Sequence, residues 1–221
     1  MKRILTSIVV SFWFSSYAQT NIPCLSADII LLVDMSNSMS GTENIVSDAV
    51  STLVEGIPVE EHKIQFALVT FSDTAKIEIP LTSDFEFLLR RVSDHKNALA
   101  RGSTTRIIPG ISRSIEILRG SDNKYDHLQI IVVISDGDIA EKETIGKYLE
   151  VLHQKENITF FSLGYGQEKD ISDFFEVVSR TKVTIMDVDD FILEKISGKE
   201  NYFRNDSKSL RDAIRKLGAC L

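Results

Sequence analysis

Three oxygen-bearing side chains occur at alternate positions directly after the first strongly apolar β-rich stretch that follows residue 26. Asp34, Ser36 and Ser38 follow residues 27–33, whose β-rich and largely apolar sequence is typical of a strand covered on both faces. In open α/β sheets, ligands bind at the carboxyl ends of such strands. One carboxylate and two hydroxyls at that position are hard donors that suit a small divalent cation such as Mg²⁺ rather than a soft metal.

A second carboxylate and a loop threonine can extend this set of donors. Asp136 ends another apolar run, which begins at residue 128. If the two runs form neighbouring strands, Asp34 and Asp136 emerge side by side and repel each other unless a cation or a proton lies between them. Thr104 and Thr105 lie in a hydroxyl-rich loop before a predicted helix, so either could supply a neutral oxygen ligand.

Alternating β-rich and amphipathic stretches predict the elements that position these side chains. The alternation is typical of βα units around a mostly parallel sheet, that is, an α/β fold. Only Asp73 and Thr74 separate the second and third strands, so we expect a hairpin with one antiparallel edge strand. Predicted strands cover residues 28–34, 64–72, 75–81, 128–136, 158–165 and 182–187, and predicted helices cover residues 44–55, 84–97, 107–118, 141–155, 171–180, 189–196 and 207–217.

The first residues have the pattern of a cleaved export signal. Lys2 and Arg3 precede a short apolar stretch, and the small residues up to Ala18 offer a cleavage site. The apolar stretch is too short to span a bilayer comfortably. We therefore expect residues 1–18 to be a signal peptide, and the mature chain to be secreted or periplasmic without inserting into a membrane.

Composition and charge argue against two classes of partner. The chain has 221 residues, of which 43% are hydrophobic and 26% are charged, as in an ordinary globular domain. Loss of Lys2 and Arg3 with the signal would change the formal charge from −7 to −9. So acidic a chain argues against nucleic acid and anionic membrane as partners, and is compatible with cations.

The two cysteines lie at opposite ends of the predicted mature chain. In an oxidising compartment, Cys24 and Cys220 can form one intramolecular disulfide, which we predict here. The chain-entropy model gives such a long loop about 4–5 kcal/mol of stabilisation, less any strain. Free or intermolecular thiols are the alternative.

Together, these motifs resemble those of a von Willebrand factor A (integrin I-like) domain. That family carries an Asp-x-Ser-x-Ser motif after its first strand, matched here by Asp34, Ser36 and Ser38. Its threonine before the third helix fits Thr105 best, with the preceding threonine as a one-residue alternative. Its second aspartate, in a Ser/Thr-Asp-Gly sequence after the fourth strand, fits Asp136.

The resemblance covers residues 27–217 and implies both a fold and a function. The implied fold is a Rossmann-like three-layer sandwich, with a mostly parallel central sheet, one antiparallel edge strand and helices on both faces. The implied function is a protein-binding module, not an enzyme, with an intact metal-ion-dependent adhesion site. Such a site binds Mg²⁺ or Mn²⁺ and captures an acidic side chain of a partner protein.

Two other functions fit part of the pattern. A structural or assembly protein would use the metal only to stabilise its loops. A Mg²⁺-dependent phosphatase-like enzyme would use Asp34 as a nucleophile. Such an enzyme usually needs a second aspartate where Ser36 stands, and Lys142 is only a loose candidate for its lysine.

Overall fold

The computed structural model describes most of the predicted domain. The predicted export signal, both cysteines and the predicted helices 171–180 and 207–217 lie outside the described residues. The described residues are 26–40, 43–56, 63–94, 102–165, 168–170, 184–186 and 189–204.

Eight strands are present in the described chain, and six of them form one central sheet. They are β1 (Ala27–Asp34), β2 (Ile64–Phe71), β3 (Ala75–Thr82), β4 (Leu128–Ser135), β5 (Ile158–Gly164), β6 (Glu168–Asp170), β7 (Thr184–Met186) and β8 (Tyr202–Arg204). The central sheet has the order β3-β2-β1-β4-β5-β8. All neighbours in it are parallel except β2 and β3, whose hairpin forms the predicted antiparallel edge.

Helices cover both faces of the sheet because its central strands are apolar on both sides. Every residue of β1 is buried. Ile29, Leu31 and Val33 pack in one apolar cluster, while Ile30 and Leu32 pack in the other, as the two-residue period of a strand requires. The helices are α1 (Glu43–Gly56), α2 (Phe85–Asp94), α3 (Ile107–Gly120), α4 (Ile145–Lys155) and α5 (Asp190–Ser197).

The distribution of the helices confirms the three-layer α/β sandwich. Side chains of α1 and α2 belong to the first apolar cluster, and those of α3, α4 and α5 belong to the second. Among the described helices, none is both long enough and apolar enough to cross a bilayer.

Two predicted elements differ from the structure. The helix predicted from residue 141 begins at Ile145, because Glu141 lies in a turn and its carboxylate accepts the Ile107 N–H. Of the strand predicted at 182–187, the described residues form β7, which pairs with β6 in a separate two-stranded sheet and not with the central sheet. The sixth strand of the central sheet is instead β8, whose three residues are too few to show a hydrophobic period.

Candidate metal centre

The predicted carboxylates lie at the ends of two neighbouring parallel strands. Asp34 is the last residue of β1, and Asp136 directly follows the last residue of β4. The two strands pair in register, with Val33 opposite Ile134. The topology therefore brings both aspartates to one edge of the sheet, and they are 1% and 4% exposed.

Hydrogen bonds fix the orientation of the Asp34 carboxylate. Its Oδ1 accepts the Ser36 N–H at 2.8 Å, and its Oδ2 accepts the Ser135 hydroxyl at 2.6 Å. The Ser36 and Ser38 hydroxyl oxygens lie 2.9 Å apart, in the turn that follows β1. Three of the predicted ligands thus form one hydrogen-bonded group.

The charge of Asp34 is poorly compensated by its hydrogen-bond partners. Burial raises the pKa of Asp34 to about 6, and hydrogen bonds from Ser135 and Ser36 only partly oppose this effect. The nearby charge of Asp136 raises the Asp34 pKa further. A divalent cation would offset this unfavourable charge, and the hard carboxylate and hydroxyl oxygens present are those that Mg²⁺ and Mn²⁺ accept.

Ser135 links the two aspartate-bearing segments. Its hydroxyl donates to Asp34 and accepts the Gly137 N–H at 3.0 Å. The turn beyond it is closed by the Asp138 N–H, which donates to Asp136 Oδ1 at 3.0 Å. A single buried hydroxyl therefore couples the orientation of Asp34 to the path of the loop that carries Asp136.

The loop that carries Thr105 is joined to the first motif through its backbone. Gly102 forms a β-bridge with Ser36, and its carbonyl accepts the Asn37 N–H at 3.1 Å. A Cβ on Gly102 would lie 2.6 Å from the Ser72 hydroxyl oxygen and 2.7 Å from the Asp73 nitrogen, so this close approach requires glycine. The loop is thus held between the β1 end and the β2–β3 turn.

Asp73, in the β2–β3 turn, holds the same loop with its side chain. Its two carboxylate oxygens accept the Thr104 N–H at 2.7 Å and the Ser103 N–H at 3.2 Å. Thr105 is 7% exposed, and its carbonyl accepts the Ala140 N–H at 2.8 Å, whereas Thr104 is exposed. Within the described chain, no hydrogen bond joins the Thr105 hydroxyl to the other four candidate ligands.

Several residues that position this site carry no local signal in the sequence. Ser135 was visible in the Ser-Asp-Gly motif, but its bond to Asp34 spans 101 positions of sequence. Asp73 was assigned only to a turn, and the amides that it binds lie 30 and 31 residues away. Such partners become visible only once the sheet order is known, because no local pattern marks them.

The candidate centre differs from a cluster of acidic and histidine ligands. Within the described ranges, no group of three or more His, Cys, Asp or Glu side chains is placed to hold a metal ion. The five candidates here include only two carboxylates, and the other three are hydroxyls. Their combination suits a small oxygen-preferring cation that retains water or an external ligand.

Comparisons with known sequences agree with the fold. A family model described as the von Willebrand factor type A domain matches residues 28–215. An uncharacterized protein of Borreliella burgdorferi is 28% identical over 199 residues, in a match that covers 86% of this chain. The chain spans only 57% of the length of that relative.

Solved structures with similar folds include bacterial and parasite proteins. The chain resembles the conserved hypothetical protein BatB from Bacteroides thetaiotaomicron, with a TM-score of 0.66 and 18% identity, covering 87% of this chain and 98% of BatB. It also resembles the manganese-loaded TRAP protein of Plasmodium vivax, with a TM-score of 0.67 and 18% identity, covering 90% of this chain and 72% of TRAP. At these identities, the similarity concerns the fold alone.

Proposed function

Because the chain belongs to the von Willebrand factor type A family, we propose that it is a metal-dependent, adhesion-type protein-binding module. The observation that carries this proposal is the pair of buried aspartates, Asp34 and Asp136, at the ends of two neighbouring strands. Asp34 has neutral hydrogen-bond partners, so its charge suits a bound cation.

The proposed ligands of Mg²⁺ or Mn²⁺ are of two kinds, with different roles. The two aspartates would balance the charge, binding directly or through water, and the three hydroxyls would supply neutral oxygens. When bound, the ion would offer an exchangeable position to an acidic side chain of the partner protein. The proposed ligands are Asp34, Ser36, Ser38, Thr105 and Asp136.

Burial and backbone contacts support Thr105, rather than Thr104, as the threonine ligand. Thr105 is buried, and its carbonyl holds the segment that follows β4. Thr104 is exposed and contributes its amide to the Asp73 carboxylate. A direct comparison of Thr105→Val with Thr104→Val would test this choice, because only the former should weaken Mg²⁺ binding.

Export and a terminal disulfide complete the proposal. The sequence of residues 1–18 supports a cleaved signal peptide and hence a secreted or periplasmic location. In that compartment Cys24 and Cys220 would form a disulfide. Mass spectrometry of the exported protein, with and without reductant, would test both statements through its N-terminus and a two-dalton difference.

Calorimetric titration with Mg²⁺ and Mn²⁺ tests the metal site. The variant Asp136→Asn keeps the shape of the side chain but removes a charged ligand, so we expect at least about a hundredfold loss of affinity. Asp122→Asn is the matched control, because Asp122 is exposed in the loop before β4, at the opposite end of that strand. Equal affinity of Asp136→Asn and the wild type would reject this ligand set.

A capture experiment separates a binding module from a structural protein. We expect the immobilised chain to retain a partner from the exported fraction with Mg²⁺, and to release it with EDTA. Amidation of the partner's carboxyl groups should abolish capture, since an acidic side chain is the proposed ligand. Capture that survives both EDTA and amidation would favour the structural or assembly role, and Mg²⁺-dependent phosphoester turnover would favour an enzyme.

A further inference from the structure

The loop that carries Asp136 is in direct backbone contact with the start of helix α5. Gly137 has a φ of +80°, and a Cβ at this position would lie 2.5 Å from the Asp189 carbonyl oxygen. The Asp189 N–H donates to the Asp136 carbonyl at 2.6 Å. The proposed metal ligand therefore rests on a segment that lies more than fifty residues further along the chain.

Lys142 closes a ring of polar contacts around this loop. Its ammonium group donates to Asp189 Oδ2 at 2.8 Å and pairs with Asp138 Oδ1 at 3.0 Å. The Asp138 N–H in turn donates to Asp136 Oδ1. The ring therefore starts at the Asp136 carbonyl, passes through Asp189, Lys142 and Asp138, and returns to the Asp136 carboxylate.

Asp189 also begins helix α5. Its Oδ1 accepts the Ile192 N–H at 3.3 Å, as an N-cap residue does, while its Oδ2 accepts Lys142. One side chain thus sets the start of the helix and its connection to the loop. A shift of α5 would be transmitted to Asp136 through the backbone and side-chain contacts of Asp189.

We propose that Lys142 and Asp189 are positioning residues for the candidate metal centre, and that they couple helix α5 to metal binding. This inference rests on the proposed function. Residues that orient metal ligands through hydrogen bonds typically change metal affinity about 10- to 100-fold when they are replaced. By thermodynamic linkage, metal binding must stabilise the arrangement of α5 that favours it.

The coupling would extend the influence of the metal to an exposed aromatic side chain. Phe191, in the first turn of α5, is 71% exposed, and the Lys195 ammonium lies 5.9 Å from its ring centre. A change in the position of α5 would therefore also move this exposed side chain.

Whether Lys142→Met weakens or strengthens metal binding distinguishes a positioning role from a purely electrostatic one. Removing the positive charge of Lys142 would by itself favour cation binding, so an electrostatic role predicts tighter binding by Lys142→Met. A positioning role predicts weaker binding, because Asp138 and Asp189 lose the group that joins them. Lys142→Arg keeps the charge and the donors, and should restore most of the affinity.

Titration of the full chain with Mg²⁺ tests the proposal. We expect Lys142→Met to bind about tenfold more weakly than the wild type, and Lys142→Arg to bind within about threefold of it. Lys147→Met is the matched control, because Lys147 is an exposed lysine of α4 outside the ring, and its affinity should be unchanged. Equal or tighter Mg²⁺ binding by Lys142→Met would overturn the positioning role.

Hydrogen exchange supplies a readout in the protein itself. In the wild type, Mg²⁺ should slow exchange of the Asp189 and Ile192 amides, while the distant Glu156 amide, which donates to Leu152, should not respond. This protection should be reduced in Lys142→Met. A wild type that binds no Mg²⁺ would reject the proposed function together with this inference, whereas binding without protection of α5 would reject the coupling alone.

Discussion

Strand β1 carries a buried aspartate near each end, and the two aspartates have different surroundings. Asp28 is fully buried at the amino end, and Asp34 is 1% exposed at the carboxyl end. Each accepts a serine hydroxyl, from Ser121 at 2.5 Å and from Ser135 at 2.6 Å. Each serine also accepts a backbone N–H two residues further on, so the local arrangements are nearly identical.

The second partner of each carboxylate makes the difference. Asp28 Oδ1 lies 2.8 Å from His127 Nδ1, so a ring nitrogen of the protein itself is within hydrogen-bond distance of this carboxylate. The hydrogen bonds to Asp34 come from neutral donors, the amide and hydroxyl of Ser36 and the hydroxyl of Ser135, and burial and, to a smaller extent, the Asp136 carboxylate raise the pKa of Asp34. The chain thus supplies the partner of Asp28 itself, while Asp34 has a buried charge that a bound cation would offset.

Removal of the Asp28 carboxylate, whose partners belong to the chain itself, should have the largest effect on stability. Asp28→Ala deprives His127 and Ser121 of a buried acceptor, so we expect a loss of about 3–5 kcal/mol in the free energy of unfolding. Urea unfolding at pH 7 with EDTA would measure it. A loss below about 1 kcal/mol would show that the contact between Asp28 and His127 does not stabilise the fold.

The pH dependence of stability should reveal the unfavourable burial of the Asp34 charge at the carboxyl end of β1. The pKa of Asp34 is raised from 3.8 to about 6, so between these values the folded state holds a proton that the unfolded state has released. In the metal-free protein, the contribution of this proton to the free energy of unfolding should be fully present below pH 4. It should be lost, by about 3 kcal/mol, as the pH rises through 6. The difference between wild type and Asp34→Asn across this range isolates the effect, and a pH-independent difference would contradict it.

Neutralising Asp34 should stabilise the metal-free fold, opposite to the effect expected at Asp28. Asp34→Asn avoids burying a charge, and its one carbonyl oxygen can accept the Ser135 hydroxyl, but its NH2 group cannot accept the Ser36 N–H. The removal of the charge outweighs this lost hydrogen bond, so we expect a net gain of about 2 kcal/mol at pH 7. Thermal or urea unfolding with EDTA would measure this gain. Destabilisation by more than about 1 kcal/mol would place Asp34 in the same structural class as Asp28.

The two serines provide the smallest and most closely matched comparison. Ser121→Ala and Ser135→Ala each remove one hydroxyl bonded to a buried carboxylate, and each should cost about 1 kcal/mol of stability. Only Ser135→Ala should also weaken Mg²⁺ binding, because Asp34 would lose its orientation. An equal effect of both variants on Mg²⁺ affinity would remove the functional distinction between the two ends.

The central strands were predictable because their burial leaves a strong sequence signal. Residues 28–34 and 128–136 are apolar on both faces, which is typical of strands inside a parallel sheet, whereas their position beside each other follows from the pairing of β1 with β4. The short spacing at Asp73 and Thr74 likewise predicted the hairpin. Strand β8 escaped prediction because three residues cannot show a period, and its place follows from pairing with β5.

The placement of the two aspartates at one sheet edge follows from the sequence pattern and the strand order, but the residues that support them could not be predicted. Asp34, Ser36 and Ser38 form a local motif, and strand order brings Asp136 beside them. The roles of Ser135, Asp189 and Lys142 depend on contacts between distant segments, which sequence spacing does not encode. Asp28 shows the same limit, since its partner His127 lies 99 residues away.

Mg²⁺-induced stabilisation of the wild type and of Asp34→Asn tests the central claim most directly. At pH 7 and a Mg²⁺ concentration about a hundredfold above its dissociation constant, the wild type should gain about 2.7 kcal/mol in the free energy of unfolding. Asp34→Asn should gain none, although it is the more stable protein in EDTA. Equal gains in both proteins, or no gain in the wild type, would contradict the assignment of the carboxyl end of β1 as a metal centre.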